Sequence, residues 1–364
     1  MFENVIGDSP CLDLVYRSYW QGTHAVFAAV PADTPSLAQQ LEAAGVNAVL
    51  LTDSSSLGEN PLAGDFGERI VLDPQLPEQP AGSVEQTQMA QLFAEAIELL
   101  VTADEPFLLW LHAAALGSIW DAPLPLREQF ADAEDPSPSS TVKVPSIVLA
   151  EDYDPDDLLG LTHAYAGQLA VLDRCIGALV DAIDSRFPDQ QTLLILTSPR
   201  GFPLGEHGRV GACGDQLHSE VLQVPGIVRH PDPSTRVHRC HTLIQPPDLY
   251  ATLLDWFGRP PQDLQPCRRS VLPLLAGENA WERQIACARG SGQLAIRTPA
   301  WFLVADEIQP PALYVKPDDR WEVNEVSDRC GPITEQLHEA LQRIAGSDAL
   351  ADLPELPDEL VEPS

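Results

Sequence analysis

The residues whose types suit chemistry fall mainly in two short stretches of this chain. The first, "TSPRGFPLGEHG" from Thr197 to Gly208, directly follows the apolar run Leu193–Leu196. Within it, Glu206 and His207 offer a carboxylate beside an imidazole that titrates near neutral pH, a pair suited to general acid–base work. The other reading of Gly205-Glu206-His207-Gly208 is a tight turn shaped by its glycines, with His207 bonded to backbone. Arg200 is a permanent cation whose planar fork takes an anion or locks a carboxylate; its alternative is a surface or structural salt bridge. Pro199 brings no side-chain donor. The second stretch, "SPCLDLVYRSYWQG", holds Cys11, a thiol that could act as nucleophile, and Arg17, which either lines a pocket or packs in the N-terminal core. His230, His238 and His241 invite a metal reading, but their spacing fits neither a helix face nor a zinc finger, and a solvated loop is the other reading.

These residues need a scaffold, and the hydrophobic pattern predicts one. Ser36 to Ala44 reads as a short helix stopped by Gly45, followed by a buried strand ending near Asp53. A helix over Val84–Val101 leads to the strand Pro106–His112. A long helix over Leu158–Asp184 turns an apolar stripe of Tyr165, Leu169, Leu172, Ile176, Leu179 and Ile183 inward. It turns near Asp189 into the strand Leu193–Leu196; then come a short helix near Gln216–Leu222, the strand "PGIVRH" and the helix "PPDLYATLLDWFG". Continuous apolar strands alternating with amphipathic helices predict an α/β fold with a mainly parallel central sheet flanked by helices. In such sheets ligands bind beyond the carboxyl ends of the strands, where the Thr197–Gly208 loop lies. Short strands after residue 279 predict a small C-terminal antiparallel α+β subdomain that closes with a helix over Ile333–Ile344. The expected division is therefore 1–278, 279–345 and an acidic, disordered tail over 346–364.

Composition excludes several function classes. Asp and Glu number 54 against 21 Lys and Arg, giving a net charge of −33, and the lysines are Lys143 and Lys316 alone. Such a surface repels nucleic acid and anionic lipid, and leaves the partner unknown, with a small anion at Arg200 or a protein as the candidates. The seven cysteines form no CxxC pair, which predicts free thiols. With no membrane span and no signal pattern at "MFENVIGDSP", the chain as written is expected in the cytoplasm; a start codon further upstream would make it an exported protein.

The order of "VPADTPSLAQQLEAAGVNAVLLTD", "YAGQLAVLDRCIGALVDAI", "QTLLILTS", "GEHG" and "AIRTPAWFLVADEIQPPALYVKPDDRWEVNEVSDR" resembles the sulfatase family of the alkaline-phosphatase-like superfamily. The resemblance implies that fold over nearly the whole chain. It also implies a calcium or magnesium ion held by aspartates plus an Asn or His, with two of those ligands where Pro199 and Arg200 stand. A further Asp-Asp pair would belong to a first strand upstream of Gly7. Cys11 stands near the family's C/S-x-P-S-R nucleophile, but Asp13 and Val15 replace the proline and arginine. The family's sulfate-binding lysine corresponds to Ala212, its mid-chain histidine has no equivalent in "LHAAALGSIWDAP", and His112 reads as a strand-end histidine. Trp120 is expected to pack or to rim the mouth of the site. A sulfatase-like pseudoenzyme with a binding or regulatory role, and without metal or other cofactor, follows as the expectation. The alternative is an active sulfuric or phosphoric ester hydrolase with relocated ligands for Ca2+ or Mg2+, or one whose first strand is missing from this chain. The strands beside a missing central strand would keep unpaired edges.

Overall fold

The structure is a computed structural model that describes all residues except 28–33, 188–191, 212–215, 233–234, 236–238, 262–266, 278–280, 348–354 and 363–364. The strands, in chain order, are β1 (Phe2–Ile6), β2 (Asn47–Thr52), β3 (Glu68–Val71), β4 (Phe107–His112), β5 (Ile147–Val148) and β6 (Leu194–Thr197). They continue with β7 (Arg209–Val210), β8 (Gln223–Arg229), β9 (Ala286–Arg289), β10 (Gln293–Arg297), β11 (Trp301–Asp306) and β12 (Ala312–Val315). The longer helices are α1 (Leu12–Gln21), α2 (Gln88–Thr102), α3 (Pro155–Arg186), α4 (Pro246–Trp256) and α5 (Gly331–Ala345). No helix among the described residues is long and apolar enough to cross a membrane. The chain forms two compact units, one from Met1–Leu37, Leu193–Gly201 and Gly214–Ser364, the other from Ala38–Thr192 and Phe202–Cys213.

The second unit is built on the parallel sheet β3-β2-β4. The apolar run of β2 makes it the central strand: Leu50 and Leu51 are fully buried, each worth about 2 kcal/mol of transfer free energy. Helix α2 starts where the Thr87 side chain accepts the Ala90 amide, and buries Met89, Leu92, Phe93, Ala96 and Leu100. Helix α3 starts at Asp154, with Pro155 in its first turn, and runs 32 residues. Gly167 of α3 leaves room for Arg127, since a Cβ there would come within 2.6 Å of the Arg127 Cγ. Fully buried Arg127 gives its Nε to the Ala122 carbonyl (3.0 Å), its Nη2 to that of Trp120 (2.6 Å) and its Nη1 to those of Thr141 (3.0 Å) and Ser139. One guanidinium thus satisfies the carbonyls of a loop that would otherwise leave them unmet.

The first unit holds two sheets. In β1-β8-β6 every pairing is antiparallel, which corrects the expectation of a mainly parallel sheet for this part of the chain: β6 meets β8 in opposite sense, Ile195 facing Val228. Strand β1 and helix α1 are not among the elements that the sequence pattern predicts. The four-stranded sheet β12-β11-β10-β9 is the expected antiparallel C-terminal one, and α5 packs Leu337, Leu341 and Ile344 against its Ile296, Leu303 and Leu313. The tail is ordered in part, contrary to expectation: Asp358–Val361 is a helical turn, Leu360 is buried in the same core, and the Trp301 Nε1 donates to the Glu359 carbonyl at 3.0 Å.

Among the described residues, β4 pairs only with β2, and β6 only with β8. All four residues of β6 are half-buried although Leu194, Ile195 and Leu196 are apolar, and Leu109, Trp110 and Leu111 of β4 are half-buried too. Each strand has the composition of a sheet centre and the exposure of a sheet edge.

Candidate functional site

In the first unit, two backbone bonds fix the strand ends from which the site grows. The Gly7 amide, just past β1, donates to the Leu222 carbonyl (2.6 Å), and the Gly201 amide, past β6, to that of Val221 (2.7 Å). Position 201 requires glycine, because a Cβ would lie 2.1 Å from the Glu220 carbonyl oxygen. The segment Asp8–Cys11 then bridges β1 to α1. Asp8 is fully buried: its Oδ2 accepts from the Ser18 hydroxyl (2.5 Å) and the Ala25 amide (2.9 Å), while Oδ1 is sealed without a partner. Burial raises the Asp8 pKa against the opposing influence of His24. The Ser9 hydroxyl accepts the Cys11 amide (3.1 Å) and donates to the Arg289 carbonyl (2.8 Å), and the Arg289 amide donates to the Asp8 carbonyl (2.9 Å).

Three arginines flank this segment. Arg200, two residues beyond Ser198 at the end of β6, reaches the Pro10 carbonyl with its Nη1 at 3.5 Å. Arg17, one turn and a half into α1, gives Nη2 to the Phe27 carbonyl at 3.1 Å and leaves Nε sealed without an acceptor. Arg289, the last residue of β9, also has a sealed and unpartnered Nε. Burial lowers the Arg17 pKa; Asp8 and Cys11 work against that shift, and the like charge of Arg289 adds to it. No carboxylate among the described residues forms an ion pair with any of the three. Cys11 is exposed at the start of α1. The structure therefore brings together Cys11, Arg17, Pro199 and Arg200 of the sequence-predicted residues, Pro199 by its carbonyl near Gly7. It adds Asp8, Ser9 and Arg289. The "GDSP" that follows an apolar run could have signalled the first two; nothing local signals Arg289, whose bond with Ser9 spans 280 positions.

Glu206 and His207 lie in the second unit, inside a backbone-built turn. Gly205, His207, Gly208 and Gly211 all have positive φ, at 113°, 48°, 69° and 84°. The Glu206 carboxylate accepts the Leu204 amide at 2.6 Å, and β7 pairs antiparallel with β5, which the Leu149 amide extends by donating to the Gly208 carbonyl (2.8 Å). Glu206 is thus engaged in shaping its own loop. Trp120 is fully buried and packs on Tyr165 and Phe202, with ring centroids 5.8 and 5.5 Å away. His112 bonds the Thr52 hydroxyl through Nδ1 (2.8 Å), and burial pushes its pKa down to about 4. Of the histidines of the Arg229–Thr242 loop, His230 meets the Trp256 edge and His241 meets Glu3 at 2.8 Å, while His238 lies outside the described residues, as does Ala212.

The sequence profile of the sulfatase family matches residues 14–259. The chain belongs to the sulfatase family. Among solved structures, it resembles the phosphonate monoester hydrolase of Agrobacterium radiobacter with a TM-score of 0.76 at 17% identity, over 94% of this chain and 88% of that one. It also resembles a protein solved in complex with its substrate D-glucosamine-2-N,6-O-disulfate (TM-score 0.73, 16% identity, 96% and 92% coverage). These likenesses establish an alkaline-phosphatase-like α/β fold with a parallel sheet and a C-terminal antiparallel sheet. The multifunctional alkaline phosphatase superfamily protein PehA of Trinickia caryophylli is 26% identical over 125 residues, 34% of this chain. That match spans about a quarter of the relative's length, 24%.

Within the sulfatase family a divalent cation sits among several carboxylates. The described residues of either unit, taken by itself, hold no three His, Cys, Asp or Glu ligand atoms close enough to share an ion. The side chains just past β6 are a proline and a guanidinium, neither of which can ligate a cation, and buried Asp8 past β1 has one carboxylate oxygen already committed. This donor set does not fit a hard cation that needs six or more oxygen ligands.

Proposed function

We propose that this chain is a sulfatase-fold protein that binds a ligand at the ends of β1 and β6 without a metal ion and without hydrolysing it. The observation that carries this reading is the placement of Arg200. Its guanidinium points to the Pro10 carbonyl beside Cys11, so a permanent positive charge occupies the ground where the family's pattern has cation ligands. Cys11 lacks the proline and arginine of the family's nucleophile motif, with Asp13 and Val15 in their places. Cytoplasmic residence is part of the same proposal.

Elemental analysis of protein passed over a desalting column tests it, together with assays of 4-nitrophenyl sulfate and a phosphonate monoester in added calcium, magnesium or manganese. The expected result is no stoichiometric divalent ion and no turnover with any metal. One ion per chain together with chelator-sensitive hydrolysis overturns the reading and favours the hydrolase alternative, for which the unpartnered Asp8 Oδ1 would be the first ligand to examine.

A further inference from the structure

We infer that the outer edge of β6 docks an extended segment of another protein, uncharged or basic, which adds to the sheet as a further strand and seats an aliphatic side chain in the cavity beside Ile195. This concerns the side of β6 rather than its end, and it stands whether or not a ligand binds beside Arg200. The two sheets of the first unit have four edges, and the chain itself closes three of them. On β1, the Glu3 amide donates to the Cys240 carbonyl (3.0 Å) and the Ile6 amide to that of Ile244 (2.8 Å), while the Asn4 carbonyl accepts the Ile244 amide (2.9 Å). On β9, the Gln245 side chain accepts the Cys287 amide (3.2 Å) and donates to the Cys287 carbonyl (2.8 Å), and the Arg289 amide meets the Asp8 carbonyl. On β12, the Leu313 amide donates to the Glu325 carboxylate (3.0 Å) and the Leu313 carbonyl accepts the Val326 amide (2.9 Å).

The fourth edge, on β6, is left open. Among the described residues, the backbone of Leu194–Thr197 bonds to β8 and to nothing else. Every second residue of an antiparallel strand turns its N–H and C=O away from the neighbour, so β6 presents a row of unmet donors and acceptors. Nothing in its sequence guards that row: Leu194, Ile195, Leu196 and Thr197 include no charge and no proline, the usual means of blunting an edge. A cavity of about 40 Å³ lies on one face of the same sheet, lined by Phe2, Val5, Ile195, Val228 and Leu249. The hydroxyls that border it are spent, Thr252 on the Asp248 carbonyl (2.6 Å) and Tyr19 on the Ser198 carbonyl (3.2 Å). The lining therefore takes an apolar group. The space is well below the ~150 Å³ of an apolar cavity that accepts benzene, so that group is a side chain of a few carbons and not an aromatic ligand. Ile195 and Thr197 of β6 both line the cavity. A residue paired across from either of them on an added strand has its Cβ about 4.5–5.5 Å from theirs, within reach of the same space. Open main-chain groups along an edge, with a pocket for alternate side chains, are what strand addition requires. Charge selects the partner: at a net charge of −33 a second copy is repelled, whereas an uncharged or basic segment is not.

The test uses the full chain and a seven-residue peptide of alternating valine and threonine with arginine at both ends, fluorescein on its N-terminus and an amide on its C-terminus. Fluorescence anisotropy should show saturable binding, weakened tenfold or more when the peptide's backbone amides are N-methylated. Replacing its valines by alanine, or its arginines by glutamate, should weaken it several-fold. Val228→Phe, which fills the cavity from a half-buried position on β8, should weaken the peptide tenfold or more, whereas Val101→Phe at an exposed position on α2 should not. Hydrogen exchange of the unaltered protein, read by mass spectrometry over Leu194–Thr197, needs no variant. Part of those amides should exchange freely without the peptide and slow tenfold or more with it. No saturable binding, equal binding of the N-methylated peptide, or β6 amides that are already protected in the free protein or unchanged on binding overturns the inference. A dimer at micromolar concentration in sedimentation, dissociated by the peptide, also overturns it, because a second copy then holds the edge.

Discussion

Two arginines of the first unit, six residues apart, are treated in opposite ways. Arg283 is buried and makes a bidentate pair with fully buried Asp248, Nη2 to Oδ1 at 2.7 Å and Nη1 to Oδ2. It also reaches the Leu243 carbonyl (3.2 Å) and lies over the Trp281 ring with its carbon 5.4 Å from the centroid. Asp248 in turn accepts the amides of Gln245 (2.9 Å) and Arg269 (2.8 Å), and closes a capping box at the start of α4. Gln245 continues the chain of bonds: its Oε1 accepts from the His24 Nε2 at 3.0 Å, with the His24 Nδ1 taken by the Val26 amide (3.1 Å). Arg289, by contrast, is anchored through its backbone alone and keeps its charge free. At Arg283 the sequence supplies the carboxylate and its second layer of bonds; at Arg289 it supplies neither, so the two guanidiniums contribute differently to the fold.

The largest effect should come from breaking the paired site. Asp248→Ala strands a buried guanidinium and removes the α4 cap, and is expected to cost about 3–5 kcal/mol of stability. Chemical denaturation checks this, and a loss below about 1 kcal/mol would mean that Arg283 finds another partner and that pairing is not what the fold demands.

A second paired site predicts a pH dependence. Glu322 is buried with Lys316, whose Nζ lies 2.7 Å from its Oε1, and accepts from the His218 ring (3.2 Å) and the Ser219 amide (3.0 Å). Burial works to raise the Glu322 pKa, but the His218 bond, the Lys316 charge and the Ser219 bond overcome it and hold the group at about 2. Because the folded value is depressed below the ordinary one of 4.5, the stability it contributes is complete above pH 4.5 and is lost as pH falls toward 2. The loss should approach about 3 kcal/mol by pH 2 and about 2 kcal/mol between pH 5.5 and pH 3, where urea denaturation measures it, and should be much reduced in Glu322→Gln. Identical slopes for parent and variant would mean that the carboxylate is already neutral in the fold.

The paired and unpaired sites differ also in how legible they are. Helices α2, α3, α4 and α5 announce themselves by apolar spacing, and β2 by a continuous apolar run that only a buried strand tolerates, although the apolar stripe starts α3 at Leu158 and misses its cap at Asp154. Cys11 and Arg17 stand out by type, and Pro199-Arg200 by position after β6. Strand β1 escapes because five residues, two of them Glu3 and Asn4, give too little alternation, and α1 because its start has no side-chain cap and its buried face is made of Tyr16, Tyr19 and Trp20 among polar neighbours. Arg289 could not be placed at all from local pattern. Its partner segment lies at the other end of the chain, and only the docking of β9 beside Asp8 and Ser9 creates the cluster.

The smallest effect is the most discriminating. In sulfate- and phosphate-free buffer, Arg289→Gln removes a charge that has no carboxylate partner and opposes Arg17, so its stability should match the parent's or exceed it by up to about 1 kcal/mol. A structural arginine would behave like Arg283 and lose several. Chemical denaturation of the two proteins side by side checks this: if the variant is several kcal/mol weaker, the Arg289 side chain has a structural role and the contrast with Arg283 disappears.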